Sequence, residues 1–502
     1  MKAILQMITG TFCSRILGLL RDIVFFAILG SSMEASAFLI AFAIPNLFRR
    51  LCGEGALNSA FVPVFAQRYV KHPETAHIFL NSFFSRISIY LFISIFIFML
   101  TLACMDPFIS DSKWTTVIYL TNAMLPYLWF ICIAALFNGA LNVLDTFSLT
   151  AFSPVFLNLS MLTGLGLCTF AQAPMQQVII VSISVVIGGT IQWLLPKLQL
   201  KKLGFPLNRF IWEKDKDLTH IWHLFIPSVF GAAIFQINTL LGRFLAFYTD
   251  AEAVSYLYLA NRFLELPLGL FAFAIISVLL PKLSLAEAQN KLQQSGAILK
   301  NCFELLLLLL LPAGCALYVL AEPILQLFFC WGRFSLKDVD AVVPLLKLFA
   351  IGLPLFGVSS LLARVFYAHK DTQTPVKLSC YTLIFYLVIA LVLMPYLKIE
   401  GLVWASILST ALQFLFQWHL IKNRYTHYSL RYTWILGKKW ICLLLFTYCL
   451  YSHCNTCDWN LPKLSAALQL LKLISIHAAS YFILLALFDK KSFKKLIVLR
   501  TK

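Results

Sequence analysis

From Ile87 to Met105 the chain reads ISIYLFISIFIFMLTLACM, nineteen residues without one charge. At 1.5 Å per residue a helix of that length extends about 28 Å, close to the ~30 Å hydrocarbon thickness of a bilayer. Comparable runs recur along the sequence, separated by short polar loops. They are too long and too uniformly apolar for the ~10-residue alternating strands of a membrane β-barrel. Composition agrees: of 502 residues, 60% are hydrophobic and 12% charged, against about 25% charged in soluble proteins. This excludes a soluble enzyme, a nucleic-acid-binding domain and a disordered chain. At roughly 35 residues per span and loop, the length fits an all-α polytopic membrane protein of about fourteen helices.

The expected spans are 5–30, 34–66, 82–105, 115–142, 149–171, 176–196, 218–248, 253–282, 298–321, 341–368, 376–396, 399–421, 433–452 and 464–488. Loops after even-numbered spans carry the cations, among them Arg68, Lys71, Lys197, Lys201, Lys202 and Lys370, and the tail adds Lys490, Lys491, Lys494 and Lys495. Loops after odd-numbered spans carry acids instead, among them Glu34, Asp106, Asp111, Asp250, Glu252, Glu322 and Asp458. The positive-inside rule then places both termini in the cytoplasm. The same distribution accounts for the net charge of +18 without nucleic acid. The start, MKAILQMITGTF, has too short an apolar stretch for a secretory signal, and Arg15 breaks the run just beyond it, so it is expected to be retained.

An internal repeat is suggested by offset matches. Arg21 and Arg243 lie 222 positions apart, each followed by an apolar stretch and an acidic loop. Asp145-Thr146 precedes Ser153-Pro154-Val155 as Asp371-Thr372 precedes Thr374-Pro375-Val376, and the prolines are 221 apart. The expected organisation is an N-terminal lobe over 1–216 and a C-terminal lobe over 217–430, each of six helices around a central cavity. Residues 431–502 then hold two appended helices and a basic tail. Transporters built of such parallel repeats bind substrate between the halves.

Charges inside the first, second and eighth spans carry the functional signal. Arg15, Arg21 and Asp22 fall in the first, Arg49, Arg50 and Glu54 in the second, and Arg262 and Glu265 in the eighth. A central arginine costs ~2.5–3.5 kcal/mol on insertion scales, so these side chains should face a hydrated cavity or pair internally. Helical spacing allows pairing of Arg50 with Glu54, Arg262 with Glu265, and Arg15 with Asp22 two turns away. Yet five arginines face three acids, and the excess suits an anionic ligand, phosphate above all, because guanidinium donates bidentately. Pro45, Gly53, Gly55, Pro63, Pro267 and Gly269 interrupt the same spans. They fit either kinks that bend during a transport cycle or close small-residue packing.

Other features point to little chemistry. His220 and His223 stand three apart near an interface and read better as solvated than as metal ligands. Most of the thirteen cysteines lie within apolar spans; Cys454 and Cys457 form a C-x-x-C in a predicted outer loop, a weak disulfide signal. No nucleotide-binding loop and no soluble domain are visible. No catalytic residue, metal or cofactor is expected, and transport would draw on an ion, potential or substrate gradient.

Ser14-Arg15-Ile16-Leu17-Gly18 with Arg21-Asp22, then Pro45-Asn46-Leu47-Phe48-Arg49-Arg50 and the run from Glu54 to Pro63, resemble the MurJ (MviN) family. Asn261-Arg262 with Glu265 and Pro267, Leu280-Pro281, Trp331-Gly332-Arg333-Phe334 and Lys370-Asp371 extend the resemblance along almost the whole chain. The family comprises lipid II flippases of the multidrug/oligosaccharidyl-lipid/polysaccharide exporter superfamily. The resemblance implies that Arg15, Arg21, Arg49 and Arg262 engage the diphosphate and peptide carboxylates of lipid II. Asp22, Arg50, Glu54 and Glu265 would line the cavity and gate, and the last two spans would form a groove for the polyprenyl tail. Lipid II and the bilayer are the implied partners, cell-wall synthesis proteins are candidates, and a monomer suffices.

Three positions depart from the family pattern: Ser36 and Asn261 stand where acids are usual, and Ala43 where a base is usual. Glu34 is a candidate substitute for the first. No acid occurs between Leu218 and Thr249, so a sodium site in the seventh span is not carried over. The expectation is alternating access for lipid II in the bacterial cytoplasmic membrane. Rivals are a flippase for another polyprenyl-diphosphate oligosaccharide, a drug or ion antiporter of the same superfamily, whose cavity should be acidic, and a scaffold without transport.

Overall fold

The computed structural model describes residues 2–53, 56–207, 211–212, 216–425, 428, 437–459 and 462–488. Among them the helices are α1 (Lys2–Leu29), α2 (Met33–Gly53), α3 (Ala56–Lys71), α4 (Pro73–Met105), α5 (Ser112–Val143), α6 (Ser148–Leu167), α7 (Pro174–Lys202) and α8 (Lys216–Thr249). They continue as α9 (Ala253–Pro267), α10 (Phe273–Ala288), α11 (Leu292–Val319), α12 (Ala321–Phe329), α13 (Leu336–Ala368), α14 (Gln373–Arg424), α15 (Gly437–Thr456) and α16 (Lys463–Phe488). No strand occurs among the described residues. Among the described residues the expected spans fall largely on helix, the second being divided between α2 and α3, while 54–55 and 433–436 lie outside the described residues. Among the described residues nine helical segments are long and apolar enough to cross a membrane.

Two expected spans are one continuous assignment with a break inside it. Within α14, Lys398 adopts φ 48° and ψ −125°, three residues after Pro395. A Cβ on Gly401 would come within 2.9 Å of the Leu393 backbone. Eight residues of straight helix would separate those positions by about 12 Å, so the chain reverses here and residues 373–397 and 399–424 are two helices. Between α9 and α10 the residues Leu268–Ala272 form a π-turn directly after Pro267, the kink that proline and Gly269 suggested.

The chain divides into two compact units. The first holds residues 1–255 with 331–334. Its centre is α5, which packs on α2, α4 and α7, while α1 lies on α6 and α8 on α2 and α3. The second holds 256–330 and 335–502. There α13 is central, packing on α11 and α14, and α15 pairs with α16 and α11. The loop before α6 and the loop before α14 share one turn. Asp145 and Lys370 have φ 56° and 61°, and the next residues reach back alike, Thr146 N to Leu141 O at 2.8 Å and Asp371 N to Phe366 O at 2.9 Å. Both are the six-to-one closure of a helix C-terminus, 225 positions apart.

The segment Trp331–Phe334 belongs to the first unit although its flanking helices belong to the second. The Arg333 amide donates to Ala27 O at 2.8 Å, its guanidinium to Gln177 Oε1 at 3.0 Å, and the Phe334 ring meets Phe26 edge-on at 5.7 Å. Gly332 (φ +56°) makes this possible, since a Cβ there would lie 2.2 Å from Ala27 O.

Candidate functional site

The first unit gathers most of the predicted arginines. Arg21, on α1, has its side chain only 13% exposed and Asp22 beside it 4%. Arg21 Nη2 and Nε donate to Asp22 Oδ1 at 2.6 and 3.1 Å. A buried cation needs such a partner, because desolvating it alone costs several kcal/mol. Asn158 on α6 completes the arrangement: its Oδ1 accepts from Arg21 Nη1 at 3.1 Å, and its Nδ2 donates to Ser14 O at 3.1 Å. Sequence spacing paired Asp22 with Arg15; the structure pairs it with Arg21 instead. Adjacent helical positions diverge by about 100°, yet a long arginine stem curls back when burial leaves no nearer carboxylate. Arg15 is exposed and makes no hydrogen bond or ion pair with a described residue.

Arg49, near the end of α2, donates Nε to Asn46 Oδ1 at 2.8 Å. Tyr127 of α5 is fully buried, and its hydroxyl has no hydrogen-bond partner among the described residues. Arg50 is half-buried, and Glu54, expected as its partner, lies outside the described residues. Asn158 and Asn46 are arginine partners that charge spacing did not name: the first lies 137 residues from Arg21 and nothing local marks it, and the second is a neutral side chain one turn before Arg49. Arg243, matched to Arg21 by the sequence offset, has a different contact: it donates Nη1 to Leu39 O at 2.8 Å and ties α8 to α2.

Ser36 and Asn261 make different contacts, the first with an uncharged hydroxyl and amide, the second with a carboxylate. Ser36 is fully buried, with its hydroxyl 2.9 Å from that of Ser255 and accepting from the Ser255 amide at 3.3 Å. In the second unit, Asn261 Nδ2 donates to Glu265 Oε1 at 3.3 Å. Glu265 is exposed and Arg262 half-buried; the asparagine four residues before Glu265 holds the carboxylate, a partner that the charge spacing did not name. No cluster of metal-binding side chains occurs among the described residues, and the His220 and His223 side chains lie outside them. Cys454 and Cys457 are free thiols.

A chain of long apolar helices is built as a multi-pass membrane protein, and its fold is shared with solved membrane transporters. An inward-facing MATE family multidrug transporter of the MOP superfamily superposes with a TM-score of 0.69 at 13% identity, over 85% of this chain and 99% of that one. The structure titled "Lipid II flippase MurJ, inward closed conformation" superposes with a TM-score of 0.79 at 24% identity, over 96% and 98%. Residues 25–486 match the family model described as "Lipid II flippase MurJ". A probable lipid II flippase of Bdellovibrio bacteriovorus is 32% identical over 439 residues, covering 84% of this chain and 82% of that protein. One of Vibrio cholerae serotype O1 is 30% identical over 501 residues, covering 95% and 94%. The chain belongs to the MurJ family.

Proposed function

We propose that this protein moves lipid II across the bacterial cytoplasmic membrane, from the inner to the outer leaflet, with both of its own termini in the cytoplasm. Family membership over nearly the whole chain is the observation that carries the reading. The arginines supply its chemistry. Arg15 is exposed and makes no ion pair with a described residue, so its fork is available to a diphosphate or a peptide carboxylate. Arg49 donates to a neutral amide, a contact that leaves the guanidinium charge in place. Arg21 is already neutralised by Asp22, and its part is to hold α1 on α6 beside the other two rather than to bind strongly itself. Arg262, from the second unit, is the further candidate for the headgroup.

Binding in the inward-open state must exceed binding in the outward-open one, or the product stays attached. No bond is made or broken, and no catalytic residue is needed. The experiment is outer-leaflet exposure of lipid II in cells depleted of their own flippase. The parent chain should restore it, and Arg15→Ala, Arg49→Ala and Arg262→Ala should not, at matched membrane levels. A correctly inserted parent that restores nothing, while another polyprenyl-diphosphate oligosaccharide becomes exposed, would reassign the cargo.

A further inference from the structure

The second unit contains a cavity of about 470 Å³ at the ends of α11 and α15, lined by none of the arginines assigned to the substrate. Lys347 lines it eleven residues into α13. A lysine that deep in a membrane helix is expensive without a counter-charge or water. Its ammonium lies 5.6 Å from the Tyr318 ring. It makes no hydrogen bond or ion pair with a described residue, and its side chain is half-buried against the cavity. The first residues of α12 put Glu322 on the rim. One oxygen of Glu322 accepts from Gln326 Nε2 at 3.1 Å; the side chain is otherwise exposed. One cation, Lys347, and two carboxylates, Glu322 and Asp458, thus line one cavity, and Lys347 makes no ion pair with Glu322.

The wall also carries a second carboxylate, Asp458, and the polar Asn455, together with Tyr318, Tyr451 and Trp459, aromatic residues that favour the membrane–water interface. The Trp459 indole donates to Cys454 O at 3.3 Å, which fixes its ring beside the end of α15. Below the rim, α15 exposes one apolar face: Ile441, Leu444, Tyr448 and Tyr451 are 51%, 66%, 71% and 57% exposed. Their spacing of three, four and three places them in a single stripe that ends at the cavity.

We propose that this cavity binds the phosphoethanolamine headgroup of a phospholipid, as a site separate from the substrate site and independent of which lipid is flipped. The phosphodiester sits on Lys347, the primary ammonium on Glu322 with the Tyr451 and Trp459 ring faces beside it, and the acyl chains lie along the α15 stripe. An anionic headgroup satisfies Lys347 and leaves Glu322 facing a like charge. Free phosphoethanolamine satisfies Lys347 and Glu322 and makes no use of the stripe.

The test is native mass spectrometry of the purified full chain in detergent, with phosphatidylethanolamine, phosphatidylglycerol or soluble phosphoethanolamine added. The parent should retain phosphatidylethanolamine over phosphatidylglycerol by about tenfold, the effect of one charge-assisted hydrogen bond. Lys347→Gln should lower retention of both lipids, Glu322→Gln should erase the preference while keeping phosphatidylglycerol, and Lys347→Arg should behave as the parent. Binding of the soluble headgroup alone, with the same dependence on Lys347 and Glu322, would keep the headgroup site and reject the lipid. Equal retention of the two lipids by the parent, or parental preference in both Lys347→Gln and Glu322→Gln, overturns the proposal. None of these readouts uses lipid II, so they stand or fall apart from the flippase reading.

Discussion

Asn158 joins Arg21 to the backbone of Ser14: one end of its amide takes the guanidinium at 3.1 Å and the other gives a proton to the Ser14 carbonyl at 3.1 Å. The Arg21–Asp22 pair is therefore part of the α1–α6 packing, and its loss should be felt as stability. Removing one partner of a buried ion pair costs about 3–5 kcal/mol. Arg21→Ala should lower the melting temperature in detergent, and Arg21→Ala with Asp22→Asn should recover part of the loss. A melting temperature unchanged by Arg21→Ala would contradict the pairing.

Arg15 should behave in the opposite way. It is exposed and makes no ion pair with a described residue, and surface-like substitutions usually stay within about 0.5 kcal/mol. Arg15→Ala should therefore melt with the parent while lowering lipid II exposure at least about tenfold, the equivalent of one lost charge-assisted contact. Full activity in that variant would remove Arg15 from the binding set.

Gly332 offers a test remote from the arginines. With φ +56° and the Ala27 carbonyl 2.2 Å from where a Cβ would sit, Gly332→Ala cannot keep the Trp331–Phe334 segment seated. A residue forced into this backbone region costs of order 1–3 kcal/mol before the clash is counted. Faster proteolysis or alkylation of a cysteine placed at 331 would report the release; unchanged protection would mean the segment seats by other contacts.

Asn261 should not tolerate replacement by aspartate. Its amide donates to Glu265 Oε1 at 3.3 Å, and an aspartate would present a like charge at the i,i+4 distance, unfavourable by a few tenths of a kcal/mol on an exposed helix. Asn261→Asp should reduce lipid II exposure, and adding Glu265→Gln should restore it. If Asn261→Asp is fully active alone, the asparagine is not what sets the charge at this end of α9.

The α13–α14 loop has a defined acid limit. Burial by itself would raise the Asp371 pKa, but the Thr374 amide at 2.9 Å, the Thr374 hydroxyl and Arg424 at 3.2 Å outweigh it and hold the carboxyl below its ordinary 3.8. A carboxyl depressed in the folded state stabilises it above the unfolded pKa, and that stabilisation disappears as pH falls through the lower folded value. The melting difference between the parent and Asp371→Asn should be level between about pH 7 and pH 5 and close only beneath about pH 4. A difference that vanishes between pH 7 and pH 5 would assign the effect to another group.

Length and apolarity alone located the helices, because a bilayer leaves a chain few other choices. The break at Lys398 was legible as the gap between two runs, and the π-turn as Pro267 with Gly269. The nine-residue α12 was not legible, since a short apolar stretch before Trp331-Gly332 reads equally well as loop. The identity of the arginines was legible from their cost in lipid; their partners were not. Spacing offers only neighbours on the same helix, whereas Asn158 reaches Arg21 through tertiary packing, and Asp22 turns to the adjacent arginine because desolvation rewards the shortest pair.

The buried hydroxyl pair of Ser36 and Ser255 carries no charge at any pH the protein will meet. A unit charge crossing the full membrane field changes energy by about 2.3 kcal/mol per 100 mV, and a neutral pair by nothing. Rearrangement at this contact is therefore invisible to the membrane potential. Whatever gating charge the protein moves lies in its charged side chains, Arg21, Asp22 and Lys347 among them, and not in this pair.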